Sequence, residues 1–336
     1  MVELGYHALT EWFPPERLID AIVRAEKAGF SSAWLSDHFH PWFDSRPSSC
    51  SFAWSMMGAV AERTDSIRIG TAVTAPILRY NPAVVAQAFS TMGRLYHNRI
   101  FMGLGAGEAL NEVPTGNRWP DPKERLERLE ESIKLIRKLM EGRFVTLKGN
   151  YYSLKSAKLY TLPSYHMPIY IASGGPNSAR IAGMWADGII CLASIGQEKI
   201  SNQIFPQFDR GARQKRRNPA RLRRIAEVVV AYDQDEEKAL SNCRPFSATL
   251  LPIFLKEEFY DPRKIEPYGY KVDAELIKKN WIVSANPDSH VETIERLAAL
   301  GFDCVEFVDI SPDHKKFVDF YAKKVIPSLG PTGSTK

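Results

Sequence analysis

The 336-residue chain predicts an α/β fold: a (β/α)8 TIM barrel with insertions in its βα loops, carried on one domain over residues 1–330. Three observations predict it. About eight short β-like runs alternate with longer amphipathic ones, a pattern that demands parallel pairing and, at that number, closure. Glycine-rich or polar clusters follow several of these runs, where barrels carry their sites. Two stretches, 143–160 and 245–270, break the repeat and read as loop insertions.

Residues 2–7 read as the first strand. Residues 14–28 read as a helix with Leu18, Ile22 and Ala25 on one face and Gly29 as its stop. A strand at 32–36, a helix at 52–63 and an alternating strand at 67–73 follow. Residues 82–96 form a helix opened by proline. A strand at 100–104 runs into glycines, and 123–141 is a long charge-laced helix. Later strands are expected at 168–172, 188–192, 225–232 and 304–308, with helices at 177–186, 289–300 and 313–326. In the first insertion, FVTLKGNYYSL reads as a hairpin about Lys148-Gly149-Asn150. The second is aromatic and proline-rich with no clear period.

Bulk properties exclude several classes. Net charge is +5 from 44 basic and 39 acidic residues, too even a balance to argue for nucleic acid. The basic segment 210–224 reads as a solvated helix end and loop, or as an attraction for an anionic ligand. No aromatics interleave with its charges, so single-strand stacking is unsupported. Cys50, Cys191, Cys243 and Cys304 form no CxxC pair, which indicates neither a zinc site nor a disulfide framework, and suits reduced thiols in a cytoplasmic protein. No apolar run approaches about 18 residues, so no membrane helix is expected. The start MVELGYHAL has no signal-peptide pattern, and 331–336 reads as a disordered tail.

Four clusters sit at strand ends. SDHFHPW places Asp37, His38, His40 and Trp42 after the second strand. An imidazole is a natural base for a hydroxyl proton because it titrates near neutrality. A lone histidine here would more often be structural; the neighbouring Asp, His, Pro and Trp favour the base. Metal binding by His38 and His40 lacks a third ligand at a supportive spacing, and no metal is expected. GTAVTAPILRYNP follows the third strand and by itself reads as an ordinary loop. GLGAGEALNE carries Gly103, Gly105, Gly107, Glu108 and Asn111; its glycines let a flat ligand approach, but their spacing is wrong for a dinucleotide fingerprint. Glu108 either caps the next turn or is a buried acid at the barrel mouth. IASGGPNSAR turns through Ser173, Gly174 and Gly175 into a helix start, whose free N–H groups suit phosphate.

Together these clusters resemble the luciferase-like superfamily and, more narrowly, its deazaflavin (coenzyme F420) dependent dehydrogenases, over nearly the whole chain. The resemblance implies hydride transfer from a secondary alcohol or sugar hydroxyl to C5 of the deazaflavin. It implies that His38 is the general base, that Trp42 lies near the reacting centre and that Glu108 serves the ring near N1. Asp37, Gly107 and Asn111 match cofactor-contacting positions. Ala72, Val73 and Thr74 match a strand bulge with a non-proline cis peptide behind the ring. Ser173, Gly174 and Gly175 match the turn that holds the cofactor phosphate. Glu11, His40, Lys256 and Asn280 fall at substrate positions. Relatives are commonly homodimers, so a homodimer is expected.

The resemblance leaves the substrate open. Sugar-phosphate enzymes of the group use two lysines and an arginine on the phosphate. Lys256 keeps one, whereas Ile195 and Asn280 stand where the others would be. Each lost charge-assisted bond is worth on the order of 1.5–3 kcal/mol, which favours the alcohol branch over glucose 6-phosphate. Lys199 or Lys279 could compensate. A flavin (FMN) dependent monooxygenase of the same superfamily and a non-enzymatic ligand-binding barrel are the remaining alternatives.

Overall fold

The computed structural model describes residues 2–45 and 49–329; the expected tail at 331–336 lies outside the described residues. Its strands are β1 (Glu3–Ala8), β2 (Ser32–Leu35), β3 (Arg68–Thr71), β4 (Ile100–Leu104), β5 (Val145–Lys148), β6 (Ser153–Ala157), β7 (Ile169–Ala172), β8 (Gly188–Leu192), β9 (Arg223–Ala231), β10 (Ile282–Val283) and β11 (Cys304–Asp309). Eight of them close in the order β1-β2-β3-β4-β7-β8-β9-β11, with every pairing parallel. This is the predicted (β/α)8 barrel. β10, which was not expected, pairs with the top of β9 through Ile282 and Val230.

The helices form where local chemistry sets them. Helix α1 (Pro15–Ala28) has proline at its start and buries Leu18, Ala21, Ile22 and Ala25; Gly29 ends it at φ +98°. Helix α2 spans Ala53–Arg63. Helix α3 (Pro82–Leu95) is capped by the Asn81 side chain, which accepts from the Ala83 N–H. The short α4 (Ala109–Glu112) follows β4, and α5 (Pro122–Met140) is capped by Asp121. Helix α6 is Pro176–Trp185.

The insertions resolve differently. β5 and β6 form the expected antiparallel hairpin, and Glu131 on α5 accepts from the N–H groups of Asn150, Tyr151 and Tyr152 at its tip. The aperiodic 245–270 stretch folds into a 3₁₀ segment, Arg244–Leu250, and short helices Ile253–Lys256 and Pro262–Gly269. One strand is shorter than expected: β3 stops at Thr71, the Ala72–Val73 peptide is cis, and pairing resumes only as a single bridge from Thr74 to Leu104. Among the described residues no helix is long and apolar enough to cross a membrane.

Strand alternation sorts side chains to two sides. Tyr6 points outward and packs on Phe30 and Phe317. Trp34, Phe101, Tyr170, Ile190, Ile225 and Cys304 point inward and fill the lower barrel. Two residues further along the same strands, the interior becomes polar: Ser36 follows Trp34, Glu227 follows Ile225 and Glu306 follows Cys304.

Candidate active site

The polar end of the barrel is built on the strand tips of β1, β2, β3 and β4. His38 sits three residues beyond the end of β2. Its Nδ1 lies 3.2 Å from the His40 carbonyl oxygen. A carbonyl only accepts, so this bond assigns the hydrogen to Nδ1 and leaves the lone pair on Nε2. That Nε2 lies 3.5 Å from Glu108 Oε2 and 3.9 Å from Glu11 Oε1. The structure therefore brings His38, Glu108 and Glu11 to one point from three different loops. Trp42 is buried beside them, its ring 6.0 Å from that of His38.

Glu108 leads into α4 and does not cap it with its side chain. Burial raises its carboxyl above the ordinary range; the His38 imidazole opposes this and Glu11 adds to it. Its side chain keeps 27% of its surface open to the mouth, so a ligand can reach it. Asn111 orients it. The Asn111 amide donates to Glu108 Oε2 at 3.3 Å and its oxygen accepts from the Phe39 N–H at 2.8 Å, tying the β2 loop to α4. Ser36 donates its hydroxyl hydrogen to Glu11 Oε2 and accepts from the Thr10 N–H at 2.9 Å, fixing the third member.

Asp37 faces away from this point, into the wall. Its carboxylate accepts from Thr74 Oγ1 at 2.6 Å, Tyr80 Oη at 3.0 Å and Arg79 Nη2 at 3.1 Å. Burial pushes the Asp37 carboxyl up against these partners. Thr74 in turn accepts from the Trp54 indole at 3.2 Å, so Asp37 fixes the bulge of strand β3 to the β2 loop. The bulge demands close backbone approach. A Cβ on Gly103 would meet the Thr71 carbonyl oxygen at 1.7 Å, a clash with backbone that nothing relieves. Gly107 has φ +72°, and a Cβ there would stand 3.4 Å from Glu112 Oε1.

The Ser173–Gly175 turn is open. Cβ atoms added at Gly174 or Gly175 would meet nothing, and no side chain caps α6. Ser173 Oγ donates to the Gly175 carbonyl at 3.0 Å and shares a 2.7 Å bond with Ser178 Oγ. The start of α6 thus has no side-chain partner for its N–H groups among the described residues.

The expected substrate positions scatter more. His40 Nδ1 lies 3.2 Å from the Tyr260 carbonyl and lines a cavity of about 450 Å³ with Pro41, Asp44, Pro114, Tyr260 and Arg263. Asn280 closes the helix Ala274–Asn280 and donates to its own Leu276 carbonyl at 2.8 Å. Lys256 ends the helix Ile253–Lys256; its side chain lies outside the described residues.

Sequence reasoning missed several groups. Glu112 is fully buried, accepts from the Arg79 N–H at 2.7 Å, and is pushed by burial up to about 7. Arg79 and Tyr80 brace Asp37 but read as plain loop. His7, Glu227 and Glu306 lie inside the barrel; the signal available was a charged or imidazole side chain at the inward phase of an otherwise apolar strand, in LGYHA, IAEVVV and CVEFVD.

Comparison with known proteins gives the family. The family model described as luciferase-like monooxygenase matches residues 2–304. The chain belongs to this family. It is 41% identical over 335 residues to an F420-dependent glucose-6-phosphate dehydrogenase of Mycolicibacterium fortuitum, covering 99% of each chain. It is 40% identical over 330 residues to the protein of that name from Mycobacterium tuberculosis (strain CDC 1551 / Oshkosh), covering 98% of each. Among solved structures, an F420-dependent secondary alcohol dehydrogenase in complex with an F420–acetone adduct superposes with a TM-score of 0.94 at 34% identity, over 98% of this chain and 99% of that one.

Proposed function

We propose that the chain is an F420-dependent dehydrogenase that oxidises a secondary hydroxyl of an alcohol or sugar. The observation that carries this reading is the convergence of an imidazole lone pair and a carboxyl held above its ordinary range, 3.5 Å apart at the mouth of the barrel. Full-length similarity to enzymes named for F420 supports the cofactor.

The residues fit a deazaflavin. The open Ser173-Gly174-Gly175 turn suits its phosphate, and the Ala72–Thr74 bulge with Gly107 and Asn111 forms the wall for its ring. When bound, the deazaflavin supplies the carbon that accepts hydride. His38 takes the hydroxyl proton at Nε2. Glu108 presents a proton to the face of the pocket beside it, as a neutral acid does and an ionised one cannot. The 3.5 Å approach of the two lets the proton gained by His38 replace the one Glu108 gives up. Trp42 closes the wall against water.

A second reading, that the hydroxyl belongs to glucose 6-phosphate, is favoured by the names of the 40–41% identical relatives. Against it stand Ile195 and Asn280 at cation positions, with Asn280 bonded to its own helix. Absorbance titration with F420 and with FMN tests the cofactor: micromolar saturation by F420 alone is expected, and FMN binding without F420 binding would overturn the reading. Turnover with glucose 6-phosphate, free sugars and secondary alcohols then ranks the two substrates. The chain is further proposed to work as a homodimer in the cytoplasm.

A further inference from the structure

Below the His38–Glu108 pair lies a second ionisable cluster that the chemistry above does not use. His7 on β1, Glu227 on β9 and Glu306 on β11 converge inside the barrel, with one ligand-type atom of each within 4.8 Å of the others. Glu227 and Glu306 are register partners on adjacent strands, and Gly5, also paired with Glu306, adds no side chain between them and His7. His7 Nδ1 approaches Glu306 Oε2 to 3.4 Å. His7 and Glu306 are 2% and 0% exposed, and both nitrogens of the one and both oxygens of the other lack a hydrogen-bond partner among the described residues. Glu227 is only partly buried and faces Glu108 and Glu11, the acids at the mouth.

Two adjacent carboxylates without a buried cation cannot both be ionised in such a place. We propose that His7, Glu227 and Glu306 form a proton-holding site that keeps the barrel interior beneath the catalytic pair uncharged while hydride arrives above it. This rests on the hydride-transfer reading for its purpose but not for its chemistry. Burial supports the assignment: it pushes Glu306 well above the carboxylate range and Glu227 up to about 8, with Glu306 adding to the latter, and it lowers His7. The groups facing Glu227 are Glu306, His7, Glu108 and Glu11; those facing His7 are Glu306, Glu227, Glu11 and His38. At pH 7 the two carboxyls carry their protons and the imidazole is neutral. Near pH 8 Glu227 gives its proton to solvent through the mouth. A negative charge then stands where further negative charge is about to develop, and transfer slows.

Glu227 and Glu306 act through the pair above them, as positioning residues, and the test reads protons directly. Infrared difference spectra of the unliganded protein, unmodified against Glu227→Gln and against Glu306→Gln, should each show one protonated-carboxyl band at pH 7. The Glu227 band should titrate away near pH 8 and the Glu306 band should persist. In turnover with F420, kcat of the unmodified protein should fall above that point, and Glu227→Gln should move the fall to higher pH. Absence of both bands at pH 7 would overturn the proposal, as would stoichiometric metal in the purified protein or a pH profile unchanged by Glu227→Gln. If an amide variant fails to fold, the infrared titration of the unmodified protein still decides: no carboxyl titrating near pH 8 sinks the idea. Failure to turn over with F420 while the bands behave as stated would sink the function reading and leave this site standing.

Discussion

The lower and upper halves of the barrel interior are built by the same strands, two residues apart, and they are opposites. Below, Trp34, Phe101 and Tyr170 lie against one another with ring centroids 4.3, 5.4 and 6.0 Å apart, and Ile190, Ile225 and Cys304 fill the rest. Above, the inward positions hold His7, Glu227 and Glu306, capped by Glu11, His38 and Glu108 from the loops. The lower half is a core whose stability comes from area removed from water. The upper half keeps buried ionisable groups, which cost stability. Substitution should therefore separate the two: activity should go without stability above, and stability with activity below.

The largest effect is expected above. His38→Ala should lower kcat by about 10²–10⁴-fold while F420 affinity and the melting temperature stay near those of the unmodified protein. Glu108→Gln keeps the shape but loses the acid, and should slow hydride transfer by roughly 10²-fold with binding retained. Stopped-flow absorbance of the deazaflavin reads both. An unchanged rate in either would remove that residue from the chemistry.

Next comes the converse. Trp34→Ala should cost about 3–5 kcal/mol of unfolding free energy in denaturant titrations, because the cavity is walled by β-strands that cannot collapse into it. A loss under about 1 kcal/mol would show that the lower half is not the rigid base it is taken for.

A third contrast sets Asp187, outside the interior, against the acids within it. Burial pushes its carboxyl up, but His166, Arg137 and the Ile169 N–H outweigh that and hold it down to about 2. Its folded value lies below the unfolded one near 3.8. It therefore contributes stability above that unfolded value, and the contribution is lost as pH falls toward 2. Asp187→Asn should cost about 2 kcal/mol at pH 7 and almost nothing at pH 2. Glu227, shifted the other way, should show the reverse dependence: its contribution is unfavourable at neutral pH, so Glu227→Gln should stabilise or leave stability unchanged.

What could be read beforehand follows the same division. All eight barrel strands were legible because an apolar run between turn signals needs no tertiary partner to be recognised. Segments such as 245–270 were not, since their short helices are held by packing on the barrel rather than by their own period. At the site, His38 and Glu108 were legible through local company and resemblance. Arg79, Tyr80 and Glu112 were not, because their partners Asp37 and Arg79 lie 33–43 residues away in sequence. His7, Glu227 and Glu306 are far apart in the chain, and only closure of β1, β9 and β11 makes them neighbours.

The smallest effect tests whether the upper half is organised or merely polar. Asn111 touches neither Nε2 of His38 nor the interior acids; it holds Glu108 at 3.3 Å and the Phe39 N–H at 2.8 Å. If the proton on Glu108 matters, its aim matters too. Asn111→Ala removes both bonds and should cost about 1 kcal/mol in the barrier, a five- to tenfold loss in kcat, with half or less of that in stability. Asn111→Asp keeps the bond from Phe39 but places a second carboxyl against Glu108, which raises the latter further. It should retain stability, slow turnover at neutral pH and recover part of the rate as pH falls and the new acid is neutralised. Equal losses in both variants at every pH would mean that Asn111 only packs, and that the approach of Glu108 to His38 is set by burial alone.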